Sequence, residues 1–114
     1  MNNRNDLMIR FDNAWKQGVK KMGVEFFNLK ASSLNDAHKR WQLEPNYQFI
    51  KEAIGGYSHS KQVLLAMMYS FFDSECGQEL LEKVGTSNFV DARSYLDEEG
   101  IYIISELWNS HYGW

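Results

Sequence analysis

Disulfides are the first thing this sequence does without. Its one cysteine, Cys76, has no partner in the chain, so covalent closure is excluded and stability must come from burial; a lone thiol also fits a reducing compartment. Proline is as scarce, with Pro45 alone, which leaves long stretches without a residue that breaks helices. No apolar run is long enough to cross a bilayer. The longest, Val63 to Phe72, is about half of the roughly 20 residues a span requires. The opening Met-Asn-Asn-Arg-Asn-Asp has no apolar signal run behind it, and the expectation is a cytoplasmic protein. Repeats, low-complexity tracts and Pro/Gly/Ser linkers are missing too, so residues 1–114 read as a single α-helical domain.

What is abundant is aromatic. Seven Phe, six Tyr and four Trp make up 15% of the chain, supplying large, stiff side chains for a core or for an adhesive surface and excluding disorder. Apolar residues recur at steps of three and four, and the fold class expected is all-α: a bundle of about five to six helices around a central apolar helix at about 60–73.

The first helix is expected from about Asp6 into the Phe26–Leu29 region, capped by Asn5 or Asp6, with Leu7, Phe11, Ala14, Trp15, Gly18 and Met22 on one stripe. A second is expected to open at Ser32 or Ser33 and place Leu34, Ala37, His38 and Trp41 on one side. Pro45 suits the first turn of a third, which Gly55-Gly56 stops. The central helix, about Ser60 to Asp73, is apolar all round between Val63 and Phe72 except at Ser70, as a helix surrounded by protein would be. A turn around Ser74–Gly77 is expected next, then a short helix carrying Leu80, Leu81 and Val84 and stopped by Gly85, then one or two turns around Phe89, Val90 and Ala92. Asp97 reads as the cap of a last helix with Ile101, Ile104, Leu107 and Trp108 inward. The β-branched run at 101–104 leaves a strand open as the alternative there.

Charge is unevenly placed. Residues 1–72 hold ten Lys/Arg against six Asp/Glu, a balance of +4, and residues 73–114 hold two against nine, −7, for −3 overall. Such asymmetry can mark an interaction face.

Catalytic motifs are absent. Gly18 and Gly23 have the glycine spacing of a phosphate loop, but Val24-Glu25 follow where Lys-Ser/Thr is required, and the segment lies in a helical pattern. His38, His59 and His111 are scattered, with no paired cysteine or His-Glu-x-x-His, so neither metal nor cofactor is expected. Cys76 would be a nucleophile only with a histidine brought close in space. Glu75, Glu79 and Glu82 fall on one helix face, but acid–base work needs a cleft that shifts their proton affinity.

Two binding readings remain. Lys16, Lys20, Lys39, Arg40 and Lys51 are the candidates for nucleic acid, with the helices around Pro45 in the place of a helix-turn-helix, although an overall pI near 5.6 opposes it. The favoured expectation is a non-enzymatic protein-binding domain. Glu75, Glu79, Glu82, Asp97, Glu98 and Glu99 are its contact acids for a partner with a basic surface, and Tyr112 and Trp114 its aromatic anchors. One concrete form is a phage- or mobile-element-encoded inhibitor of a bacterial defence or nucleic-acid-handling complex; an immunity or adaptor protein fits equally.

Overall fold

The computed structural model describes residues 3–114. Its first element, α1 (Asn3–Met22), presents Phe11, Ala14, Trp15, Val19 and Met22 to the interior, the three-and-four spacing of one helical face. Asn5 and Asp6 lie within the first turns of α1 rather than at its cap. The helix stops earlier than the apolar pattern suggests. Gly23 takes φ 116°, a conformation closed to most side chains, and its N–H is the last to reach back, to Val19.

The chain beyond is where the expected second helix fails. A turn of 3₁₀-helix at Val24–Phe26 leads into β1 (Phe27–Leu29), which pairs antiparallel with β2 (Leu43–Pro45) in the register Phe27–Pro45, Asn28–Glu44, Leu29–Leu43. Between the strands run only two further 3₁₀ turns, Leu34–Asp36 and Arg40–Gln42. Short polar side chains here bond locally instead of joining a helix: Ser33 Oγ donates to Asp36, and the Gln42 side-chain oxygen accepts the N–H groups of His38 and Lys39. Pro45 ends the ribbon, where a missing N–H is tolerated.

The remaining helices keep the order read from the sequence, although the next begins at Tyr47 rather than at Pro45 and a helix replaces the turn expected at 74–77 because Asp73 caps it; each has a side-chain cap of the kind that typically contributes about 1 kcal/mol. Asn46 caps α2 (Tyr47–Ala53), Ser58 caps α3 (His59–Phe72), Asp73 caps α4 (Ser74–Lys83), Asn88 caps α5 (Phe89–Ala92) and Asp97 caps α6 (Glu98–Ser110). Residues 101–104 are helical within α6.

The result is a compact all-α bundle with α3 at its centre. Every residue from Val63 to Tyr69 is buried, α4 packs along one side of α3, and α6 packs along α1. The radius of gyration, 13.3 Å, matches the roughly 13 Å expected of a closely folded chain near this length. Close approach of α3 and α4 depends on Gly77: a Cβ there would stand 2.5 Å from Ser70 Cα.

One buried ion pair joins three distant stretches of chain. Arg40, 2% exposed, donates through Nε to Asp12 Oδ1 at 2.7 Å, through Nη1 to the Gly113 carbonyl and through Nη2 to the Met8 carbonyl, both at 3.1 Å. Its guanidinium lies 4.3 Å from the centre of the Phe11 ring. The tail is thereby drawn in, and Trp114 stands edge-on to Trp15 and Phe72 at 4.8 and 4.9 Å.

Candidate interaction groove

α6 was expected to turn Trp108 inward. Its buried stripe is instead Gly100, Ile103, Ile104 and Leu107, and Trp108 is 64% exposed. The stripe that meets α1 and α3 is centred on 103 and 107, which leaves residue 108 on the flank. There its ring lies against Phe89 of α5, centroids 5.4 Å apart and tilted by 35°. Val90, the next residue of α5, is 83% exposed.

These rings border a groove. The C-terminal turn of α3 supplies its floor through Ser70 and Phe71, α4 one wall through Ser74, Gln78 and Leu81, and Phe89, Trp108 and His111 the other, around about 400 Å³. A second compartment of about 260 Å³ shares the Phe89–Trp108 pair and is lined further by Val90, Arg93, Ile104, Ser105 and Asn109. Phe71 holds the arrangement in place, meeting Phe89, Trp108 and His111 edge-on at 5.6, 6.5 and 5.3 Å. Two polar groups of the lining bond within the chain. Ser70 Oγ donates to the Ala66 carbonyl at 3.0 Å, and Gln78 Nε2 donates to the Ser87 carbonyl and to Glu82. The lining combines the Phe71, Leu81, Phe89, Val90, Ile104 and Trp108 side chains with the polar groups of Ser74, His111, Arg93, Ser105 and Asn109.

Single exposed apolar residues are ordinary on any protein. Ile9, Trp41, Tyr95 and Tyr102 are of that kind here, whereas Phe89, Val90 and Trp108 stand side by side around a concavity, the form that marks contact sites.

The acids named from sequence separate into two groups. Glu75, Glu79 and Glu82 share the exposed side of α4, with Glu82 accepting from Gln78 and Glu79 accepting the Tyr47 hydroxyl at 3.3 Å. Asp97, Glu98 and Glu99 lie at the other end of α6, about 15 Å from Trp108 by the rise of ten residues. Lys21 of α1 holds Asp97 and Glu99 at 2.9 and 3.0 Å. The Gly100 N–H and Lys21 keep the Asp97 carboxyl below its ordinary range, and Lys21 and Gln17 do the same for Glu99. Glu106 is likewise paired, with Arg10 at 2.7 Å. Much of the charge asymmetry is thus spent where basic α1 meets acidic α6. Of the two anchors, Tyr112 stays 55% exposed beneath the Arg4 guanidinium, while Trp114 is half-buried against the core.

The basic candidates are dispersed. Arg40 is internal and cannot contact nucleic acid, and with the helix expected before Pro45 replaced by a ribbon, no helix-turn-helix exists there. Lys16 and Lys20 line a polar cleft of about 370 Å³ with Asn13, Gln17 and His38, and Lys16 donates to the Asn35 carbonyl. Lys39 is exposed, and Lys51, on α2, lies over the Tyr47 ring.

Cys76 sits half-buried on α4. Desolvation, then the nearby Asp73, Glu79 and Glu75 carboxylates, push its thiol above the ordinary value. Neighbouring Tyr69 is pushed up to about 12, chiefly by burial. Groups held protonated in this way are the opposite of a thiolate nucleophile. His59 instead contacts the Val84 carbonyl at 2.7 Å. Among the described residues no three His, Cys, Asp or Glu side chains converge to hold a metal, and no helix is long and apolar enough to cross a membrane.

The residues sequence reasoning missed are Phe89, Val90 and Trp108. The available signal was the width of the α6 stripe: with 100, 103, 104 and 107 already filling it, a further apolar residue at 108 exceeds what one core-facing side needs. Comparison with protein-family models, with curated proteins and with solved structures finds no match to this chain.

Proposed function

We propose that this chain is a non-enzymatic protein-binding domain that receives its partner in the groove between α4, α5 and α6. One observation carries the reading: Trp108 and Val90, 64% and 83% exposed, stand together around a concavity lined largely by apolar side chains. Tryptophan is the residue most often found to dominate binding energy, and truncating such an anchor typically costs 2 kcal/mol or more. The partner in this reading is a protein segment with apolar side chains for the groove, and the exposed acids of α4, Glu75, Glu79 and Glu82, are candidate contacts for a basic surface beside it. A domain of this kind acts by occupancy, as an inhibitor, an immunity protein or an adaptor does, and inhibition of a nucleic-acid-handling complex is one such role. Tyr112 belongs to the same end of the molecule and serves as a peripheral contact.

The test is affinity capture with nuclease treatment, run side by side on the wild type, Trp108→Ala and Val90→Asp. Recovery of a stoichiometric protein that weakens about 30-fold or more with Trp108→Ala supports the reading, since about 2 kcal/mol corresponds to that factor. A partner retained equally by all three proteins refutes the groove. Capture that disappears with nuclease moves the weight to nucleic acid and to the Lys16, Lys20 and His38 cleft.

A further inference from the structure

We infer that the polar cleft between α1 and the stretch around His38 is a site for a compact ligand bearing two or more linked phosphates. Its lining is Asn13, Lys16, Gln17, Lys20 and His38. None of these residues lines the groove between α4, α5 and α6, so either site can fail without the other. Asn13, Lys16, Gln17 and Lys20 are spaced by three, one and three, which sets them on one side of α1 over two turns. His38 joins them from between two 3₁₀ turns, where its own N–H is tied to Gln42 Oε1 at 3.0 Å.

Every side chain of this lining carries a hydrogen-bond donor, and no carboxylate is among them. Such a set, with two ammonium groups in it, is complementary to an anion. Lysine without arginine serves phosphate as a point charge, where a carboxylate is better held by a planar fork. Lys16 and Lys20 make no salt bridge among the described residues. Lys16 gives one N–H to the Asn35 carbonyl at 3.1 Å, which holds its ammonium in place and leaves two of its three donors for a ligand. The two lysines lie on successive turns, about 6 Å apart along the axis. The cleft encloses about 370 Å³, within the roughly 300–1,000 Å³ of small-ligand sites. A lone phosphate ion leaves most of that space to water, whereas linked phosphates span both ammonium groups.

A nucleic-acid strand does not fit as well. Its affinity accumulates from phosphates neutralised along a track, and the other cations form none. Lys39 adjoins His38, but Arg40 is internal, Lys30 pairs with Glu44 at 3.7 Å, and Lys51 lies over Tyr47 on α2. Beside Gln17 stands Glu99, 3.5 Å from its Nε2, with Asp97 held on the same Lys21 that binds Glu99. Asp36, two residues before His38, accepts Ser33 Oγ. The positive field is therefore local and bounded by acids, which selects a short, densely charged anion.

The experiment titrates pyrophosphate and tripolyphosphate into the full chain by isothermal calorimetry, with NMR shifts locating the site. Saturable binding is expected, with the shifts centred on Lys16, Gln17, Lys20 and His38. Pyrophosphate should bind at least about 10-fold more tightly than inorganic phosphate or sulfate, and its affinity should weaken as salt is raised. Lys16→Gln and Lys20→Gln should each cost at least about 10-fold, the loss of one charge-assisted contact. Lys20→Arg should retain most of the affinity, and Lys51→Gln and Trp108→Ala should leave it unchanged. Matching circular dichroism melts guard against misfolding of the variants. No saturable binding of tripolyphosphate, sulfate held as tightly as pyrophosphate, or binding indifferent to Lys16→Gln and Lys20→Gln overturns the inference. So does a single-stranded oligonucleotide that binds more tightly than tripolyphosphate and gains affinity with length, which assigns the cleft to nucleic acid instead.

Discussion

Substituting Gly77 by alanine adds a single methyl group where α4 lies against the backbone of α3. Its Cβ would lie 2.5 Å from Ser70 Cα and 2.8 Å from Ser70 Cβ. The first of these is backbone and cannot rotate away, so α3 and α4 must separate by about 1 Å to restore ordinary contact in a close-packed interior. They have little freedom to do so, because Asp73 alone both ends α3 and caps α4. Overpacking of this kind costs about 1–3 kcal/mol, and the better helix propensity of alanine returns at most about 1 kcal/mol. We expect a net loss of about 1–2 kcal/mol, which for a chain this size lowers the melting temperature by about 4–8 °C. Thermal and urea unfolding measure it directly. Gly55→Ala is the control: nothing lies within 4 Å of its added Cβ, and a gain of up to about 1 kcal/mol is expected. If Gly77→Ala proves as stable as Gly55→Ala, the contact does not govern how α3 and α4 pack.

Three further outcomes are expected. Asp12→Ala leaves the 2% exposed Arg40 without its counter-charge and should cost about 3–5 kcal/mol in urea unfolding, with Trp114 fluorescence shifting as Gly113 loses its donor. Asp97 and Glu99 have folded-state proton affinities below the ordinary values of 3.8 and 4.5. Their stabilisation is therefore present above those values and is lost as pH falls through the lower folded-state ones; melting temperatures should fall on acidification through that window, and Lys21→Ala should flatten the fall. Because Cys76 is held protonated by burial and by Asp73, its labelling by a disulfide reagent at neutral pH should be slower than that of an unstructured cysteine peptide, and faster labelling would contradict the geometry.

The helices from residue 46 onward could be read from the sequence by their apolar stripes, and the last also by its cap, Asp97; the caps of the others went unread, and α4 begins at Ser74, where a turn was expected. Asn46, Ser58, Asp73, Asn88 and Asp97 all accept backbone N–H groups, and the all-apolar run after Val63 placed α3 at the centre. Residues 23–45 could not be read the same way. Leu34, Ala37 and Trp41 keep helical spacing, yet Arg40 lies beneath α1 only because Asp12, 28 residues away, needs a counter-charge. No local pattern records such a pairing. The candidate surface was half legible: Glu75 and Glu82 were placed on one side of α4 by spacing alone. Trp108 was assigned to the core because periodicity says which residues share a side, not which neighbouring helix covers it. Asp97 and Glu99 appeared free because their partner, Lys21, is more than 70 residues distant in the chain.

Phe71 touches the groove on one side and the interior on the other. From Trp108 and Phe89 the rings continue through Phe71 to Phe11, and from Phe11 to Trp15 and Trp114. The floor of the groove is therefore the outer link of a chain of rings that ends at the Arg40 clamp. A floor of that kind resists denting, since depressing it would displace rings one after another across the molecule. Whatever binds must bring the complementary shape with it and bear the cost of ordering, while this chain serves as the rigid mould. Selectivity among partners then follows from which of them can already hold the matching form.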